Sequence, residues 1–269
     1  MSATSHSVAL ITGASSGIGA VYADRLAHRG RDLLLVARDA TRLEALASRL
    51  RAETGRKVEV LPADLARPDD LARIERRLRD DAAIGMLVNN AGMAVGGTVA
   101  GADAGRLADL VQLNVVAASR LAVAAAQAFA DRRHGTLVNI ASVLALTPEG
   151  FNGVYNATKS FVLTLTQSLQ AELAGTGLRI QAVLPGATRT EIWGRAGIDD
   201  ATLPAEMVMG VDEMVDAALA GLDSGEAVTI PSLPDAADWQ RFEAARLALA
   251  PNLSRNHAAA RYLRQEPAA

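Results

Sequence analysis

A chain of 269 residues, half of them apolar, can bury one large core, and a formal net charge of −3 gives no electrostatic case for nucleic acid. The absence of cysteine removes disulfides, thiolate zinc sites and cysteine nucleophiles together and leaves a cytoplasmic location open, which is the location expected. His6, His28, His134 and His257 are scattered, with no carboxylate at ligand spacing, so no metal is expected.

Residues 1–6 carry no basic region followed by a long apolar core, and no uninterrupted apolar stretch reaches bilayer length, so neither secretion nor membrane association is expected. An apolar run at 8–11 predicts a first strand, which leads into Thr12-Gly13-Ala14-Ser15-Ser16-Gly17-Ile18-Gly19 and a helix over 18–29. Glycines at such a turn permit close backbone approach, and the helix N-terminus presents unpaired N–H groups to a diphosphate; the plain alternative is a tight turn. A second strand at 33–36 ends at Ala37 and Arg38, before a helix over 39–53. A guanidinium there can pair with a ribose 2′-phosphate that an acid would repel, which favours NADP(H) over NAD(H). Asp39 points the other way, toward an NAD(H)-preferring enzyme, unless it caps the following helix.

The third strand, 58–61, is followed by Asp64, which could accept from an adenine amine or cap the helix over 68–80. The fourth, 86–88, ends in Asn89-Asn90-Ala91-Gly92, at the carboxyl edge where open α/β sheets bind ligands; a simple turn is the alternative, for Asn89 above all. Asn114 lies inside a long helix over 104–130, where asparagine is mildly unfavourable, so a kink or a held water is expected. A fifth strand at 137–140 precedes Ser142, which has no histidine beside it to make a hydrolase nucleophile.

The helix over 152–174 carries the most informative pair. Tyr155 and Lys159 stand four residues apart, on one helical face, in a chain with three tyrosines and only two lysines among 27 basic residues. Random placement would yield about 0.02 such pairs. An ammonium beside a phenol favours the phenolate, so the tyrosine could give or take a proton at a carbonyl or alcohol oxygen. The sixth strand, 180–184, runs into Pro185-Gly186 and an apolar but aperiodic stretch over 187–210, expected to be a functional loop. A helix over 211–222 and a seventh strand at 227–230 follow. The alternation predicts a single α/β domain, a doubly wound parallel sheet of seven strands with helices on both faces, over 1–232. The remainder, 233–269, with Trp239 and Phe242 three apart, reads as a helical extension that packs on the same domain or on a neighbouring subunit.

The ordered set of landmarks resembles the short-chain dehydrogenase/reductase family over roughly residues 7–232. They are the GxxxGxG turn at 13–19, Asp64, the Asn-Asn-Ala-Gly at 89–92, Asn114, Ser142, the YxxxK at 155–159, and Pro185-Gly186 with Thr190. The resemblance implies hydride transfer between a nicotinamide and a substrate carbonyl, with Tyr155 as general acid/base. Lys159 would lower the phenol's pKa and hold the nicotinamide ribose, Ser142 would orient the substrate oxygen, and Asn114 would order a water beside the lysine. Cofactor contacts would come from Gly13, Ser15, Ser16, Gly17, Ile18, Gly19, Arg38, Asp64, Leu65, Asn90, Ala91, Gly92, Tyr155, Lys159, Pro185, Gly186, Thr188 and Thr190.

Apolar walls at Met93, Val95, Val143, Leu144, Phe151, Trp193, Met207 and Met209 suggest a hydrophobic ketone, aldehyde or alcohol, held with Ser142 and Tyr155 under a lid at 187–210. The family's long helices imply a homodimer or homotetramer. Two other readings differ in kind. A nucleotide-sensing regulator of the same fold should have lost part of the tetrad, which is intact here. A sugar-nucleotide epimerase or dehydratase needs a larger C-terminal substrate region.

Overall fold

The computed structural model describes residues 8–199 and 203–262. The chain divides into two compact units between Pro231 and Ser232. The larger is built on one parallel sheet of seven strands in the order β3-β2-β1-β4-β5-β6-β7. These are β1 Val8–Thr12, β2 Leu33–Ala37, β3 Val58–Pro62, β4 Ile84–Asn89, β5 Gly135–Ile140, β6 Leu178–Val183 and β7 Val228–Thr229. Apart from shifts of one or two residues at their ends, these are the seven strands the sequence predicts.

Residue alternation along the strands makes two cores. Ala9 and Ile11 of β1, with Leu33 and Leu35 of β2, face α1 (Gly17–His28), α2 (Ala40–Thr54) and α8 (Val211–Ser224). Leu10, Leu34 and Val36 face the opposite way, onto α3 (Pro68–Asp80) and α5 (Ala118–Arg132). Both faces are covered at the centre of the sheet, which is why β1 and β2 read as nearly unbroken apolar runs. The helices start where their sequences dictate. Pro68 opens α3 with Asp69 and Asp70 in the first turn and Arg77 and Arg79 in the last, matching the helix dipole at both ends. Asp39 is the N-cap of α2, its carboxylate accepting from the Arg42 amide at 2.9 Å.

One prediction is corrected in kind. The helix expected over 104–130 is three pieces: α4 (Ala104–Val111), a π-helical turn at Gln112–Ala117 and α5. Asn114 sits in that turn, so the out-of-place asparagine marked a local widening of the helix. Asn89, whose simplest reading was a turn residue, ends β4 and donates to the Ala118 carbonyl at 2.8 Å, just past the widened turn. The stretch Ala104–Arg132 has the length and mean apolarity to cross a membrane by composition, although Arg106, Asp109, Asn114 and Arg120 interrupt it. Its inner face, however, supplies Leu121, Ala125 and Phe129 to the core against α3 and the sheet.

The stretch after β6 is more structured than a plain loop. It holds a short α7 (Ile192–Arg195) and a 3₁₀ turn at Ala205–Met207, and its two ends are joined where Thr188 bridges Met209. Residues 200–202 of the expected lid lie outside the described residues. The smaller unit contains α9 (Ala236–Ala248) and α10 (Ala250–Leu253), with the Trp239 and Phe242 rings stacked at 5.5 Å between centroids.

Candidate active site

The strand order reverses direction between β1 and β4, and the cleft opens at their carboxyl ends, the place where this architecture binds ligands. A cavity of about 930 Å³ lies there. It is lined by Gly13, Ser15, Ser16, Gly17 and Ile18 from the glycine-rich turn, Arg38 just after β2, Asp64 and Leu65 after β3, Asn90 to Met93 after β4, and Thr190. The turn is held by close packing: a methyl at Gly19 would stand 2.4 Å from the Gly13 carbonyl oxygen, which no side chain tolerates. Thr12, absent from the sequence-based contacts, organises the junction. Its hydroxyl accepts from the Asn90 and Ala91 amides, both at 2.9 Å. The Asn90 side chain donates back to the Thr12 carbonyl at 2.8 Å, so its amide braces β1 against β4.

After β3, Asp64 accepts from the Ala66 amide at 3.1 Å, closing a turn ahead of α3. It does not cap α3, whose N-cap is Arg67. Arg42, which sequence reasoning passed over, makes a two-pronged pair with Glu191 at 2.8 and 2.9 Å, joining α2 to the segment after β6. Asp39, which the sequence had singled out, also lines the cavity, as do Glu191 and Arg195, which no local motif marked because they reach it only through the return of the chain after β6.

The four residues expected to carry the chemistry, Asn114, Ser142, Tyr155 and Lys159, are not among those lining the cavity. Asn152 caps α6 (Gly153–Glu172), accepting from the amides of Val154 at 3.0 Å and Tyr155 at 3.3 Å, which fixes Tyr155 in the first turn and Lys159 one turn on. Tyr155, Lys159, Ser142 and Asn114 are all buried. Ser142 hydrogen-bonds the phenol, and the Lys159 ammonium lies 5.8 Å from the phenol ring centroid and donates to the Ile140 carbonyl at 3.0 Å. Asn114 accepts from the Met93 amide and donates to the Met93 carbonyl, both at 2.9 Å, and reaches the Thr158 hydroxyl at 3.2 Å. Thr158 in turn donates to the Tyr155 carbonyl at 2.7 Å. Asn114 thus ties the segment after β4 that carries Gly92 and Met93 to the helix carrying Tyr155.

The electrostatics depart from expectation in sign. Burial pushes the Tyr155 phenol up to about 12, opposed only by the Ser142 hydrogen bond, and pushes Lys159 down to about 8. In this state desolvation, not the neighbouring ammonium, sets the tyrosine.

An apolar shell surrounds the phenol. Ala94, Val95, Leu110 and Ala196 pack with Tyr155, and Met93, Leu144, Phe151, Ile192 and Ile198 lean on them. Phe151 meets Tyr155 edge-on at 5.4 Å and Trp193 at 6.1 Å, while Trp193 donates to the Thr188 carbonyl at 2.8 Å. Two expected walls are misplaced. Met207 is 64% exposed, and Met209 packs on the core beneath α1, α2 and α8. Pro185, Gly186 and Thr188 lie past the end of β6, where the Val143 amide donates to Pro185 and the Thr188 hydroxyl to Gly186.

Fold and site together define an oxidoreductase of the dinucleotide-binding α/β class. The model of the short chain dehydrogenase family matches residues 7–200, and the chain belongs to that family. It is an NAD(P)-dependent dehydrogenase/reductase acting on CH–OH groups and their carbonyl counterparts. A short-chain dehydrogenase from Sphingobium yanoikuyae, solved in complex with NADPH, is 55% identical, with TM-score 0.92 over 95% of this chain and 99% of that one. The bulky-bulky ketone specific alcohol dehydrogenase from Comamonas testosteroni is 49% identical, with TM-score 0.90 over 97% and 100%. The 17-beta-hydroxysteroid dehydrogenase type 3 of Danio rerio is 31% identical over 223 residues, 81% of this chain and 70% of that protein.

Proposed function

We propose that this enzyme interconverts hydrophobic ketones, including those with two large substituents, and their alcohols, using NADP(H), with Tyr155 as general acid/base. The observation that carries the reading is the Ser142–Tyr155–Lys159 cluster at the end of a dinucleotide cradle, closed in by an apolar shell. The cradle fits a dinucleotide: Gly19 leaves no side chain between the turn and the strand, and the N-terminus of α1 faces the cavity. A nicotinamide bound there would supply or accept the hydride.

The protein's residues do the rest. The Ser142 hydroxyl fixes the substrate oxygen beside the phenol, and Tyr155 delivers its proton to that oxygen in reduction. A phenol held near 12 is a proton donor at neutral pH, which suits the reductive direction. Lys159 places its charge one turn below the phenol, where it stabilises phenolate once the proton has left. The apolar shell keeps water from the reacting carbonyl.

NADP(H) is favoured by Arg38, which lines the cavity and has no ion-pair partner among the described residues. Asp39, the residue that argued for NAD(H), has one oxygen engaged at the Arg42 amide and the other 3.6 Å from the Arg42 guanidinium. The relative solved with NADPH agrees with this choice, and the bulky-ketone relative agrees with the substrate class. Arg38→Asp should weaken NADPH binding by about 30-fold, the loss of one charge-assisted pair, and shift kcat/KM toward NADH. A wild-type enzyme that prefers NADH would contradict the assignment and transfer the weight to Asp39. The same reading has the enzyme cytoplasmic and self-associating through the long helices, where Val111, Val123 and Phe161 are exposed apolar residues.

A further inference from the structure

The loop between β5 and α6 carries Ser142 at its start and Tyr155 just past its end, and it brings Leu144 and Phe151 to the shell around the phenol. Its middle is tied back to α6 by side chains. Asn156, adjacent to Tyr155 and 2% exposed, donates from Nδ2 to the Pro148 carbonyl at 3.1 Å and to the Thr147 carbonyl at 3.5 Å. One turn further along, the Ser160 hydroxyl donates to the Ala145 carbonyl at 3.0 Å. The loop offers Asn156 carbonyl oxygens, so the amide must turn its nitrogen toward them. That leaves Oδ1 buried with no hydrogen-bond partner among the described residues. An orphaned buried acceptor is a standing cost, and an aliphatic side chain of the same shape would avoid it. The polar residue therefore supplies something packing alone would not.

The loop also holds a strained residue. Phe151 has φ +147°, a region that side chains with a Cβ seldom enter, and its ring is the one set edge-on to both Tyr155 and Trp193. Such a conformation persists only where its surroundings fix it. The Asn156 tie grips the chain at Pro148, three residues before Phe151, and the Asn152 cap grips it one residue after.

We propose that Asn156 is a positioning residue for the substrate: by holding the 147–148 turn against α6 it fixes the height of Leu144 and Phe151 over Tyr155, and so the room left for the groups flanking a ketone. Asn156 touches no reacting atom and acts through the loop. The inference rests on the reading of the site as a ketone reductase.

Two variants test it. Asn156→Ala removes the donor and the bulk, and Asn156→Leu removes the donor and the orphaned acceptor while keeping the shape. Each is assayed with NADPH and 1-phenylbutan-1-one, alongside NADPH affinity and hydrogen exchange at the amides of Ala145, Leu146 and Gly150, which bond within the loop. Both variants should raise KM about tenfold with kcat changed less than about threefold, and NADPH affinity should stay at the wild-type value. The three amides should exchange faster in both. A leucine variant with wild-type KM and wild-type exchange would show that shape alone suffices and overturn the proposal, as would a loss confined to kcat with the loop amides unchanged. If wild-type enzyme oxidises no NADPH with the ketone, the reductase reading fails, and the exchange rates still decide whether Asn156 holds the loop.

Discussion

Lys159 shows how the site trades stability for chemistry. Its ammonium is buried and donates to the Ile140 carbonyl, and burial lowers its pKa from 10.5 to about 8. Below about pH 8 the charged form is carried in both the folded and the unfolded chain, so the full desolvation penalty is present. Between about 8 and 10.5 the unfolded chain binds more protons than the folded one, and on this group's account stability rises with pH. Tyr155 runs the other way above pH 10, because its folded pKa is raised. Lys159→Met should therefore raise the melting temperature at pH 7, by about 5 °C, while abolishing turnover. The gap over wild type should shrink as pH rises toward 10, as read by calorimetry. A variant that melts below wild type at pH 7 would show the ammonium to be well solvated in the fold. The pair at 155 and 159 was legible in the sequence because helical spacing alone juxtaposes the two side chains. The sign of the tyrosine's shift was not, since it depends on burial by Phe151, Leu110 and Ala196, residues brought in by three different segments.

Among the elements, the strands and most helices could be read directly, since burial on both faces makes the central strands β1 and β2 apolar runs and helices such as α2, α3 and α6 begin at a cap or a proline. What could not be read was the π-helical turn at Gln112–Ala117. Asn114 signalled an irregularity, but its kind depends on the Met93 backbone and Thr158, which lie far away in the sequence. The segment after β6 was legible as functional and not in its wiring. Its ends are stapled by Arg189 and Met209, which bond backbone to backbone at 3.0 Å, and Ala196 accepts from the Gly96 amide at 3.2 Å. A methyl at Gly96 would meet the Ala196 carbonyl at 2.8 Å, so the segment closes onto a residue with no side chain. Ile192, Ala196 and Ile198 pack around Tyr155, and we expect this segment to open for substrate and close again over it. Hydrogen exchange should show the amides of 192–198 slowing when NADPH and a ketone are both present. Equal exchange in the two states would mark a static wall and put the entry route elsewhere.

At the scale of the molecule, the extension beyond Pro231 is a unit of its own, and Phe242, Leu247, Leu249 and Leu253 on it are exposed. An apolar stripe of this kind is costly in water, so we expect it to be covered by the larger unit or by a second subunit. Truncation at Pro234 should lower the melting temperature or change substrate KM in either arrangement. The mass seen by light scattering should fall only if the extension bridges subunits. A truncated protein unchanged in all three would make the extension dispensable. The central claim is that Tyr155 delivers the proton in an NADPH-dependent ketone reduction, and the most direct measurement is NADPH oxidation by wild type and Tyr155→Phe with a bulky aryl ketone, paired with NADPH affinity for both. The expected result is steady turnover by wild type, a loss of about 10³-fold or more in kcat for the variant, and cofactor affinity within about twofold. A variant that retains a tenth of the wild-type kcat, or a wild type that binds NADPH and oxidises none of it with any ketone, would contradict the account.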